Sequence, residues 1–127
     1  MHPYLLAAAI AAAIVGLVHS VLGEVLIFSR MRSDRQIIPT VGKPLLHERH
    51  VRILWATWHI ASIFGWALAA VLFSLAQPAS EMLLQEVVVH AIAGGMFASG
   101  LLVLIATKGK HPGWLGLLVV AALCWLS

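Results

Sequence analysis

The run from Tyr4 to Phe28 is 25 residues long and is broken only by His19, Ser20 and Glu24. At about 1.5 Å rise per residue it is long enough to cross a bilayer as a helix. Three further apolar runs follow, over 53–76, 87–106 and 114–126. With 61% hydrophobic and 10% charged residues in 127, the chain lies far from the roughly 45–50% apolar and about 25% charged balance of soluble domains. The expectation is an all-α integral membrane protein: one domain, 1–127, folded as a four-helix up-and-down bundle. The spans fall at about 4–28, 53–76, 80–106 and 112–126. The first run reads as a span and not a signal peptide. No basic segment precedes it, and its apolar stretch continues through Val25 to Phe28 without a small-residue cleavage site. The fourth is short, about 24 Å from Pro112 to Ser127, so an upright helix or a thinned bilayer is expected.

All eight basic residues sit in two loops. Arg30, Arg32, Arg35, Lys43, Arg49 and Arg52 lie between spans one and two, and Lys108 and Lys110 between three and four. The positive-inside rule puts both loops in the cytoplasm, with the N- and C-termini outside an inner (cytoplasmic) membrane. The opposite loop carries Glu81 and Glu86 but no Lys or Arg. Pro78 suits the first turn of span three, where Glu81 would complement the helix dipole. In the cytoplasmic loop, 29–52, Pro39, Gly42 and Pro44 break helix, and nothing interrupts it from Leu45 onward. Span two should therefore protrude, with Leu45 to His50 in its first turns. Trp55, Trp58 and Trp114 would fall near the inner headgroups and Trp125 near the outer ones. Small residues recur at every fourth position, as Ala8, Ala12, Gly16, Ser20, then Ala61, Gly65, Ala69, then Ala91, Gly95, Ser99. Such stripes let helices approach closely, and one left unused could serve a homodimer.

Four ionisable residues, His19, Glu24, His59 and His90, interrupt the spans. Such groups are costly in a membrane and point to function. Helical rise from the cytoplasmic ends puts Glu24 at about 7 Å, His59 at about 10 Å, His19 at about 15 Å and His90 at about 25 Å depth. His19, Glu24 and His59 can thus share a site in the cytoplasmic half, while His90 pairs separately near Glu86. Glu48, Arg52, Trp55, His59, Ser62 and Trp66 line one stripe of span two. Around span one, Glu24 lies about 140° from His19, so both reach one small ligand only if the helix bends or the Glu side chain wraps round. By depth, Arg52 is the expected partner of the Glu24 carboxylate. Arg49, Arg52 and their basic neighbours read as an interfacial cluster on anionic lipid.

Several readings fit these polar groups. The histidines could hydrogen-bond neighbouring helices and pin the bundle. They could coordinate, with haem b between His19 and His59, or a transition metal held by both and a carboxylate. Glu24 and the histidines could instead relay protons beside a substrate path, as in a small proton-coupled transporter. An accessory subunit of a larger membrane complex is the rival from another class. The single cysteine, Cys124, excludes a disulfide within the chain, and a net charge of +3 confined to two loops excludes nucleic-acid binding. His47-Glu48-Arg49-His50 falls short of the many histidine boxes of di-iron hydroxylases. The 24-residue basic loop departs from small multidrug transporters, which have short loops. No nucleophile–base pair, phosphate loop or carboxylate dyad is evident, and Ser20 beside His19 is too poorly aligned for a catalytic pair, which argues against an enzyme.

The string His19-Ser20-Val21-Leu22-Gly23-Glu24, with Arg52 and then Trp58-His59, is similar to a group of small, uncharacterised four-helix bacterial membrane proteins. They share an HSxLGE stretch near the end of span one and an R…WH stretch opening span two. The resemblance covers roughly spans one and two and adds emphasis to His19, Glu24, Arg52 and His59. It implies a bacterial membrane protein and brings no activity with it.

Overall fold

The computed structural model describes residues 2–33, 36–42, 46–78 and 84–126. Among them the chain is helical, with four α-helices: α1 (Pro3–Leu22), α2 (Glu48–Ala76), α3 (Leu84–Thr107) and α4 (Gly113–Leu126). Arg35, Lys43, Pro44, Leu45 and Glu81, on which parts of the sequence reading rest, lie outside the described residues.

Pro3 opens α1, where its missing N–H is no loss. Helical structure continues past Leu22, widening to a π-turn over Gly23–Ile27 and tightening to a 3-10 turn over Phe28–Met31. The segments Pro3–Met31, Glu48–Ala76 and Leu84–Thr107 are long and apolar enough to cross a membrane, whereas α4 has 14 residues. α2 begins at Glu48, later than the uninterrupted sequence suggests. Leu46 is drawn into a bridge with Gly42, its N–H donating to the Gly42 carbonyl at 2.8 Å, and His47 is extended as the N-cap. Gly42 permits the fold-back, since a Cβ there would lie 2.6 Å from the Val51 side chain and 2.7 Å from Leu46 Cβ.

The helices pack in chain order, α1 on α2, α2 on α3 and α3 on α4. Neighbours run antiparallel. The His2 N–H donates to Ala76 O at the far end of α2, and Arg52 at the start of α2 reaches Ala106 O near the end of α3. Small residues set the contacts, because they let backbones approach. A Cβ on Gly65 would meet Gly16 Cα of α1, one on Gly95 would touch Ala67 of α2, and one on Gly100 would run into Leu118 of α4. Between α2 and α3, Ala56, Val103 and Ala106 are buried beneath Ile53, Trp55, Ile60 and Trp114. The outer helices bury little: Ala9 and Gly16 in α1, Ala121 in α4. Their remaining faces present apolar residues such as Val15, Leu17, Leu115 and Leu123.

Candidate functional site

The π-turn ends α1 with Glu24 facing α2, and the polar stripe of α2 meets it there. One Glu24 oxygen, Oε1, accepts from Trp55 Nε1–H and from His59 Nε2–H, the latter at 2.9 Å. The other, Oε2, accepts from the Arg32 guanidinium, which also donates to Ile37 O of the following loop. His59 is joined on its far side to Ser20 Oγ through Nδ1 at 2.8 Å, and Ser20 to Ser62 Oγ at 2.8 Å. A continuous chain thus runs Ser62, Ser20, His59, Glu24, Arg32. It is largely sheltered, with side-chain exposures of 15% for His59, 28% for Glu24 and 24% for Arg32.

With Ser20 donating to Ser62, Nδ1 of His59 donates to Ser20 and Nε2 to the carboxylate, which describes an imidazolium. A neutral ring fits the same heavy atoms. Ser20 then turns its O–H onto Nδ1, and Ser62 donates to Ser20. Gain or loss of a proton by His59 therefore requires only hydroxyl rotation. The same order of hydroxyl, imidazole and carboxylate activates serine in hydrolases. Ser20, however, lies inside α1, where the helix consumes the backbone N–H groups that an oxyanion hole would need.

His19 takes another place. Its ring stacks on Trp58, with centroids 4.3 Å apart and planes within 8°, while Trp58 Nε1–H donates to the His19 carbonyl at 3.0 Å. Its Nε2 is buried without a hydrogen-bond partner among the described residues. The expected meeting of His19 with Glu24 does not occur, for the reason the helical wheel contains. Ser20, one residue on, lies about 40° from Glu24 and takes the position facing His59.

The expected Glu24–Arg52 pair is replaced by Glu24–Arg32. Arg52 is buried, donating through Nε to Glu48 at 2.7 Å and through Nη1 to Ala106 O at 3.1 Å, so it joins α2 to α3 and is not a surface anchor. His90 is exposed, and its Nδ1–H donates to the Glu86 carbonyl at 2.7 Å; the separate pairing is made by backbone, not by the Glu86 carboxylate. Trp55 and Trp58 aim their N–H groups into the α1–α2 contact. Among the described residues, no three His, Cys, Asp or Glu side chains gather as a metal-binding group.

The sequence reading missed Arg32 and Ser20 as members of the site, and it placed Trp55 on the His59 stripe without seeing that its N–H serves Glu24. A signal for Arg32 existed: a sheltered carboxylate needs a cation, and Arg32 is only eight residues along the same helical path. The chain matches no protein-family model, no curated protein and no solved structure.

Proposed function

We propose that the chain is a multi-pass protein of the bacterial inner membrane. In this reading it is an up-and-down bundle with both termini outside and the Glu24 site in the cytoplasmic half, and that site takes up and releases a proton. Three helices of spanning length and the apolar outer faces of α1 and α4 support the membrane reading. The observation that carries proton handling is the unbroken chain from Ser62 through Ser20 and His59 to Glu24. An imidazole hydrogen-bonded on both nitrogens can accept a proton on one side and release it on the other. Arg32 balances that carboxylate when the imidazole is neutral.

Coordination of haem b or a transition metal has less support. Both His59 nitrogens and both Glu24 oxygens already have partners, and His19 is turned to Trp58. An accessory role in a larger membrane complex is the remaining alternative.

The test is proton flux into vesicles holding the purified protein and a trapped pH-sensitive dye. Wild type should dissipate an imposed pH gradient, and Glu24→Gln and His59→Ala should slow the decay to that of protein-free vesicles. Equal decay in wild type and Glu24→Gln would remove this site from any proton path. Wild-type vesicles no faster than empty ones would favour the accessory role.

A further inference from the structure

A second feature, sharing no residue with the Glu24 chain, lies where the start of α2 meets the α3–α4 turn. It is a cavity of about 780 Å³, within the roughly 300–1,000 Å³ of small-molecule sites. Arg49, Arg52, Lys108 and Lys110 line it together with three histidines, Thr107 and a single carboxylate, Glu48. Glu48 is engaged by Arg52. Among the described residues Arg49, Lys108 and Lys110 form no ion pair. Among the described lining residues, four permanent cations therefore share one carboxylate, Glu48, which Lys108 and Lys110 also attract, and the concavity keeps an excess of positive charge.

Two backbone features aim at the same ligand chemistry. The start of the 29-residue α2 carries its partial positive charge here, and its N-cap residue, His47, makes no side-chain cap hydrogen bond. At the other wall, α3 ends in a turn closed by the Gly109 N–H on Leu104 O at 2.9 Å and the Lys108 N–H on Ile105 O at 3.3 Å. In such a turn the left-handed residue is usually glycine. This chain puts Lys108 there, at φ 54°, with Gly109 following at φ 72°. Trp114 Nε1–H fastens the turn by donating to Gly109 O at 3.2 Å. A lysine held in a glycine conformation on the wall of a cationic cavity is a strained placement that its charge can justify.

We propose that this cavity binds a phosphate group carried by a small anion, presented either on a lipid headgroup or on a free phosphorylated compound. Arg49 supplies charge from the α2 wall, and Lys108 and Lys110 supply it from the α3–α4 turn.

The test uses the full chain in a zwitterionic detergent. Pyrophosphate should raise the thermal midpoint of wild type saturably, and Lys108→Gly and Arg49→Gln should each lose that response. Lys108→Gly is informative because glycine suits the left-handed position. Without ligand this variant should be at least as stable as wild type, so a lost response cannot come from misfolding. In a parallel arm the protein is taken from phosphatidylcholine vesicles containing phosphatidic acid, and bound phosphatidic acid is counted after gel filtration. Retention by wild type but not by the variants, without a pyrophosphate response, assigns the group to a headgroup. A pyrophosphate response without retention assigns it to a free compound. Binding in neither arm, or binding that both variants preserve, overturns the proposal.

Discussion

Gly23 and Trp58 show how much one missing side chain arranges. A Cβ on Gly23 would fall 2.1 Å from Trp58 Nε1, inside the indole that stacks on His19 and bonds its carbonyl. Gly23→Ala should therefore expel the ring and cost about 1–3 kcal/mol, the range for overpacking. Gly94 sits in α3 with nothing within 4 Å of its Cβ position, so Gly94→Ala should be neutral or gain up to about 1 kcal/mol of helix propensity. Unfolding of the two variants side by side in detergent measures the contrast, and equal effects would show that the indole does not lie on Gly23. At this scale the sequence was legible only in part. The stripe Glu48, Arg52, Trp55, His59, Ser62 and Trp66 is plain from spacing; its last four members bond α1 or its helical extension, while Arg52 pairs with Glu48 and turns to α3. The partners on α1 were not legible, because His19 is the more conspicuous residue chemically while Ser20 is the one correctly aimed.

Among the elements, the end of α1 departs most from regular geometry. Wide turns of the π kind gather at functional places, since they re-aim side chains without ending the helix. Here the turn starts at Gly23, buries Phe28 against Trp58, and leads to a 3-10 turn that returns Arg32 to Glu24. Hydrophobic runs give no sign of a change in helical pitch, so depth arithmetic on an ideal helix selected Arg52 for the carboxylate. A double-mutant cycle separates the two pairings. Glu24→Gln with Arg32→Ala should show a coupling of about 0.5–3 kcal/mol, whereas Glu24→Gln with Arg52→Ala should be near additive. Coupling confined to Arg52 would mean that the helix runs on without the π-turn. The late start of α2 has a similar origin. Nothing after Leu45 forbids helix, yet Leu46 bonds back to Gly42 four residues earlier, a local turn that the hydrophobic pattern does not encode.

Taken whole, the molecule is a row of antiparallel helices with two outer members whose apolar faces bury little. That much follows from the lengths of the apolar runs, and the short loop after α3 leaves α4 little choice but to return along it. Orientation is the part that charge distribution alone must supply. Alkaline phosphatase fused after Ser127 should be active, and the same enzyme fused near Val41 should be inactive, if the positive-inside rule holds for the basic residues, six of which lie between the first two apolar runs and two between the last two. The opposite pattern would put the Glu24 site in the outer half.

Packing in chain order also sets a timetable. Every group of the Ser62-to-Arg32 chain falls between residues 20 and 62, so it needs only α1, its helical extension and α2. Neighbour-to-neighbour contacts are the kind that form early, because little chain must be closed into a loop first. A nascent chain emerging from its N-terminal end can pair the Glu24 carboxylate while α3 is still being made. The cationic cavity, by contrast, needs the α3–α4 turn and is assembled only after α3 has been made.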